Sequence, residues 1–232
     1  MTLVLALDTA TPQVSAAIGE DGRVLGSVHV HARRRHAETL VPAVAWLCDQ
    51  TGVPLDRLDA IGVGTGPGLF TGLRVGVTTA KTMAQALDRP VAAVPSLDLV
   101  AHPLAFTERR VVAVLDARRR EVFHAQYRAV GGETRRLTDY RVGTADDLVA
   151  ELAADGEPVV LAGDGVAPYR AAIDRLPDAV AAGDEFAAPS VAALVDLTTA
   201  RAERGDVASA DEVTPLYVRA SDAELTWDAH RR

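Results

Sequence analysis

The chain begins with Leu3-Val4-Leu5-Ala6-Leu7, an unbroken apolar run with the pattern of a strand covered on both faces. Asp8-Thr9-Ala10-Thr11-Pro12 supplies turn residues, and Val14 to Ile18 reads as a second strand. Glu20-Asp21-Gly22 marks a hairpin turn into a third strand from about Val24 to Val30. The period then changes. From His36 to Gln50 the apolar residues Leu40, Ala43, Val44 and Leu47 fall at helical spacing, with Gly52 as the stop and Pro54 just beyond. Asp59 to Gly64 predicts a short strand. A glycine-rich segment then opens a second helix that runs to Leu87. Pro90 to Val94 predicts a strand and Ser96 to Ala101 a short helix.

A looser second round follows. Val111 to Leu115 and Val122 to Tyr127 read as strands around a turn at Asp116 to Arg120, and Tyr140 to Val142 as a third. Thr144 caps a helix running to Ala154, with Asp146 and Asp147 in its first turn. Val159 to Ala162 is a strand, and Ser190 caps a last helix from Val191 to Arg204. Pro103 interrupts the pattern between the rounds. The expected division is therefore residues 1–103, residues 104–220 and a loose tail at 221–232. Two β-β-β-α-β-α rounds in tandem are the plan of the α/β fold shared by actin, Hsp70 and the sugar kinases (ASKHA), an analogy of element order that leaves function to the sites.

Charge narrows the picture. The formal net charge is -8, whereas a chain that grips nucleic acid alone usually carries a basic surface. The arginines are local, at Arg33-Arg34-Arg35, Arg109-Arg110, Arg118-Arg119-Arg120 and Arg135-Arg136. Each cluster reads as a solvated turn or strand end, and a shared basic face within a larger assembly stays open. No apolar run is long enough to span a membrane, and the N-terminus reads as a buried strand, not an export signal. Cys48 is the single cysteine, which excludes an intrachain disulfide and fits a cytoplasmic location.

Candidate chemistry centres on the glycines from Gly62 to Gly76. The segment is not a GxxxxGK[ST] loop: Gly66 and Gly72 are one residue too far apart, and Leu73-Arg74 follows. Nor is it a dinucleotide fingerprint, because Leu69 stands where the third glycine belongs. Backbone amides at the helix start could still bind an anion. Gly72, Gly76, Ala80 and Ala84 share one helix face and leave it almost bare. Each helical glycine costs roughly 0.5–1 kcal/mol relative to alanine, so close packing of something on that stripe must offset the cost. Two readings fit: packing inside the chain, or a partner helix. Asp8, Thr9 and Thr11 form a degenerate phosphate loop of the kind that holds magnesium and phosphate in actin-like folds, and a plain β-turn uses the same residues. The six histidines show no zinc-ligand spacing, and Ser96, Asp98 and His102 lack a GxSxG elbow.

GTGPGLFTGLRVG, from Gly64 to Gly76, followed by TTAKTMAQAL, resembles the shared block of the TsaD/TsaB family. LALDTATPQVSAAI, the His36-Ala37-Glu38-Thr39-Leu40 to Pro42 block, VLDARRREVFHAQY from Val114 to Tyr127, Ala162 to Gly165 and Pro215 to Arg219 are similar to its shorter branch. The resemblance implies an ASKHA fold and a part in forming threonylcarbamoyladenosine in tRNAs that read ANN codons. The catalytic branch carries an HxxxH metal pair at places that fall at about Ser96 and Val100 here, so it also implies a noncatalytic subunit with no metal and no catalytic residue. The implied partners are TsaD, the ATPase TsaE and, through the complex, tRNA, with room for a homodimer when the chain is alone. No cofactor of its own is implied, and ATP or ADP is left to a complex interface. The implied partner surface lies on the first two helices, at His36, Leu40, Val44, Leu47, Gly72, Leu73, Gly76, Val77, Ala80 and Ala84. An independent actin-fold kinase or ATPase, using Asp8 and Thr11 for Mg-ATP and a pocket near Gly163 and Gly165, is the reading from another class.

Overall fold

The structure is a computed structural model that describes residues 1–32 and 35–219. Arg33, Arg34 and the expected tail at 221–232 lie outside the described residues. In chain order the first segment holds β1 (Leu3–Asp8), β2 (Gln13–Glu20), β3 (Arg23–His31), α1 (His36–Thr51), β4 (Ala60–Gly64), α2 (Phe70–Leu87), β5 (Val91–Val94) and α3 (Ser96–Ala101). The second holds β6 (Arg110–Arg118), β7 (Glu121–Val130), β8 (Glu133–Arg136), β9 (Arg141–Thr144), α4 (Ala145–Asp155), β10 (Val159–Ala162), α5 (Arg170–Ile173), β11 (Ala179–Ala181) and α6 (Val191–Arg204).

Two mixed sheets result. The first runs β3-β2-β1-β4-β5, antiparallel through β3, β2 and β1 and parallel through β1, β4 and β5. The second runs β11-β10-β6-β7-β8, with β9 also on β7. Local signals act where the sequence placed them. Asp21 and Gly22 both take positive φ in the β2–β3 turn, Gly52 closes α1 in the left-handed region, and the Thr144 and Ser190 hydroxyls accept the capping amides of α4 and α6. The expected strand at Tyr140 to Val142 is shifted to Arg141–Thr144, where it pairs with β7.

The helices cross the expected boundary. α1 and α2 cover one face of the first sheet, around Leu5, Leu7, Leu40, Leu47 and Ile61. The other face is covered by α6 from the second segment, through Val191, Leu194 and Val195 against Val4, Ala6 and Ala60. Conversely, α3 from the first segment packs on the second sheet, with Leu97 and Val100 against Val111, Ala113 and Leu115. A division at 103/104 therefore separates the strands but not the layers. Glycines explain why α6 fits so closely: a Cβ on Gly62 would overlap the Thr198 hydroxyl, and one on Gly19 would overlap Val195. The chain after α6 returns to the first segment, where Ala208 bridges Val91 and Lys81 Nζ donates to the Val213 carbonyl at 2.9 Å. Among the described residues, no helix is long and apolar enough to cross a membrane.

Candidate functional site

The glycine-rich loop joins β4 to α2, and three of its amides turn inward. Thr65 N donates to the Val94 carbonyl (2.9 Å), Gly66 N to Ser96 Oγ (3.1 Å) and Leu69 N to the Ala10 carbonyl (2.7 Å). A Cβ on Gly64 would overlap the Asp8 carboxylate, one on Gly68 the Ala10 carbonyl, one on Gly72 the Thr9 carbonyl and one on Gly76 Thr9 Oγ1. Ala80 and Ala84 continue the stripe into the core. The glycines thus let α2 lie against the β1–β2 turn, and of the two readings of the stripe the structure shows packing within the chain.

That turn uses its own polar groups. Asp8 is buried, accepting from Ser96 Oγ at 2.9 Å and from Ala10 N at 3.0 Å. Thr9 Oγ1 donates to the Gly72 carbonyl at 2.7 Å, and Thr11 Oγ1 accepts from Gln13 N at 3.2 Å. All three candidates for a phosphate loop are therefore inside the chain and spent on it. Burial pushes the Asp8 carboxyl up to about 6, with a smaller contribution from the charge on Asp164. Asp164 is likewise pushed up to about 6 by burial, although the Asp116 amide donates to it at 2.9 Å. Ser96 and Val100, where the sequence resemblance leads one to expect a metal pair in a catalytic relative, are a buried hydroxyl bonded to Asp8 and a core valine. Among the described residues, no group of three or more His, Cys, Asp or Glu side chains is arranged to hold a metal ion.

The ten residues expected at a partner surface need correction. His36, Leu40, Val44, Leu47, Gly72, Leu73, Gly76, Val77, Ala80 and Ala84 are all buried within this chain. They are the periodic apolar positions, and that periodicity marks the face that meets the chain's own sheet. His36 is fixed there by Nε2, 2.9 Å from the Thr11 carbonyl. The outward faces of the same helices differ. On α1, Ala37, Val41, Ala45 and Trp46 are exposed, Val41 by 58% and Trp46 by 53%. On α2 the small polar Thr71, Thr78 and Thr82 are exposed.

A cleft of about 460 Å³ opens beside the loop. Its walls are Pro67 to Phe70 with Leu73 and Arg74, the tip of the β6–β7 hairpin at Asp116 to Arg119, and Leu216 to Arg219, which Leu216 N ties to the Thr65 carbonyl at 2.8 Å. Phe70 and Tyr217 pack with ring centroids 5.4 Å apart. The Arg74 guanidinium lies 4.0 Å from the Phe70 centroid, and its Nε donates to Tyr217 Oη at 3.3 Å. Sequence reasoning missed Phe70, Arg74 and Tyr217 as a group, because the pairing joins residues 143 positions apart. The arginine cluster was visible, but its backbone was not: Arg118, Arg119 and Arg120 all take positive φ, at 63°, 55° and 65°.

The class defined by two mixed sheets with a loop site at their junction is the actin-like fold. The EutJ protein from Carboxydothermus hydrogenoformans has that likeness at fold level only, with a TM-score of 0.54, 9% identity and coverage of 84% of this chain and 89% of that one. The family model for TsaD, tRNA N6-adenosine threonylcarbamoyltransferase, matches residues 23–227. The chain belongs to this family, and its relatives include proteins named TsaB and YeaZ. It is 30% identical to the tRNA threonylcarbamoyladenosine biosynthesis protein TsaB of Haemophilus influenzae, over 97% of this chain and 95% of that protein. An uncharacterized protein of Mycobacterium tuberculosis is 38% identical over the same shares, 97% and 95%. The YeaZ structure from Pseudomonas aeruginosa superposes with a TM-score of 0.81 at 33% identity, covering 94% of this chain and 100% of that one.

Proposed function

We propose that this chain is the noncatalytic dimerisation subunit of the assembly that forms threonylcarbamoyladenosine in tRNA, docking on a TsaD-type partner through the outward faces of α1 and α2. The observation that carries the reading is the exposed apolar row Ala37, Val41, Ala45 and Trp46 on α1. An apolar row of this kind on a helix surface is a docking feature, and a tryptophan at its end is a typical anchor. The family relation to TsaB proteins supplies the pathway, and Ser96 and Val100 in place of a ligand pair support a noncatalytic role. TsaE would be recruited by the pair, and tRNA would be met through the complex in the cytoplasm. No nucleotide of the chain's own is required. The inward-turned amides of Thr65, Gly66 and Leu69 and the engaged Asp8, Thr9 and Thr11 support that, and they count against an independent kinase or ATPase. ATP or ADP would then sit only where the chain meets a partner.

The test is co-elution of the full chain with its TsaD-type partner. Val41→Glu combined with Trp46→Glu should abolish co-elution and leave Tm within a few degrees of wild type, because both side chains are exposed. Unchanged co-elution would refute the proposed surface.

A further inference from the structure

Arg74 is an exposed cation that meets no carboxylate among the described residues. Its contacts are aromatic: the stack on Phe70 and the bond from Nε to Tyr217 Oη. Two other arginines of the cleft are neutralised inside the chain, Arg118 by Asp116 at 2.9 Å and Arg219 by Glu121 at 2.7 Å. Arg74 is different in kind. Nε uses one guanidinium donor, and among the described residues neither Nη makes a hydrogen bond. The open Nη donors form a planar fork that matches a carboxylate. The stack and the Nε bond already hold the long side chain in place, so little further freedom is lost when the fork is used.

The rest of the cleft is apolar. Pro67, Leu69, Leu73, Leu216 and Val218 line it, and Phe70 and Tyr217 are exposed by 39% and 46%. Tyrosine, phenylalanine and arginine are the side chains enriched where proteins bury surface against each other. The volume of about 460 Å³ is enough for a few side chains of an extended segment. Phe70, Arg74 and Thr78 stand four apart on one exposed line of α2, so the cleft continues the helix face assigned to docking. We propose that this cleft receives an apolar segment of the protein that docks on α1 and α2, and that Arg74 forms a two-bond ion pair with an aspartate or glutamate side chain of that segment. The complementarity is specific: one rigid guanidinium without a carboxylate, set in an aromatic and aliphatic surround, fits one acidic side chain among apolar ones. The proposal rests on the docking reading above for the identity of the partner.

The test is calorimetric titration of the full chain with its TsaD-type partner at about 50 mM and about 500 mM salt. Arg74→Met should weaken binding about tenfold or more at low salt and flatten the salt dependence, with Tm within a few degrees of wild type because the side chain is exposed. Arg74→Lys should weaken binding nearly as much, since an ammonium offers no planar fork. Tyr217→Phe keeps the ring and removes the anchor of Nε, so a loss of about threefold with the salt dependence retained is expected. The proposal is overturned if Arg74→Met binds within about twofold of wild type, or if Arg74→Lys binds as wild type, which would reduce the contact to diffuse charge. It is also overturned if light scattering shows that Arg74→Met dissolves a homodimer while partner affinity is unchanged, which would seat a second copy in the cleft. The two readings fail separately. If Val41→Glu with Trp46→Glu abolishes binding and Arg74→Met does not weaken it, this inference alone falls. If Arg74→Met weakens binding and the α1 pair does not, the α1 surface falls and the cleft contact stands.

Discussion

Asp8→Asn should make the protein more stable at neutral pH, although Asp8 is a fully engaged group in the structure. Its folded pKa is raised from 3.8 to about 6, chiefly by burial. Between those values the folded state holds the proton more tightly than the unfolded chain. Stability from this group is therefore fully present below about pH 3.8 and is lost as pH rises through about 6. A shift of about two units corresponds to about 3 kcal/mol of destabilisation once the group is ionised. Asparagine is uncharged throughout, and its oxygen can still accept from Ala10 N. It cannot accept from Ser96 Oγ as Oδ2 does, which costs about 0.5–1.5 kcal/mol. The net gain at pH 7.5 is about 2 kcal/mol, or a Tm about 4–8 °C above wild type. At pH 4 the variant should be equal or slightly less stable. Thermal unfolding of both proteins from pH 4 to pH 8 measures the difference. A variant less stable than wild type at pH 7.5, or a difference that does not change with pH, would refute the account of Asp8 as a carboxyl raised by burial. Asp164, raised in the same direction, should leave a residual slope of the same sign.

Gly72→Ala tests the stripe directly. Intrinsic helix propensity favours alanine by about 1 kcal/mol, whereas overlap with the Thr9 carbonyl costs about 1–3 kcal/mol. A net loss of up to about 2 kcal/mol by urea unfolding is expected, larger than for Gly76→Ala, whose clash is with the Thr9 side chain. A rise in stability for Gly72→Ala would contradict the packing role. Tyr127→Phe removes a 2.8 Å hydrogen bond to Asp98, a carboxyl already pushed up by burial and also bonded by Tyr140. The expected loss is about 1.5–3 kcal/mol at pH 7, shrinking toward acid pH as Asp98 takes up a proton. A loss that stays constant with pH would assign the effect to packing alone.

Much of the fold was legible because it is written in local periodicity. The run Leu3 to Leu7, the spacing of Leu40, Val44 and Leu47, and the caps Thr144, Ser190 and Gly52 each mark an element within a residue or two of where it lies. β8 was not legible, since Glu133-Thr134-Arg135-Arg136 has no apolar alternation and owes its strand to pairing with β7. α5 and β11 are four and three residues long, below the reach of any period. The ten residues expected at a partner surface turn out buried for a related reason. Periodicity identifies the apolar face of a helix, and in α1 and α2 that face meets the chain's own sheet. A second apolar row has to be read from what the first leaves over, as in Val41 and Trp46. The cleft depends on contacts between Arg74 and Tyr217 and on backbone angles at Arg118 to Arg120, neither of which has a local signature.

The exchange of α3 and α6 between the two sheets makes synthesis order matter. A first sheet leaving the ribosome with β5 has its strands and one covered face, but Val4, Ala6 and Ala60 stay bare until Leu194 and Val195 arrive. At about 5–20 residues per second, that interval is on the order of ten seconds. Through it the nascent chain presents an apolar sheet surface next to the long edge strand β3. The same interlacing means that each half carries the cover of the other's sheet, so neither half alone would bury both of its faces.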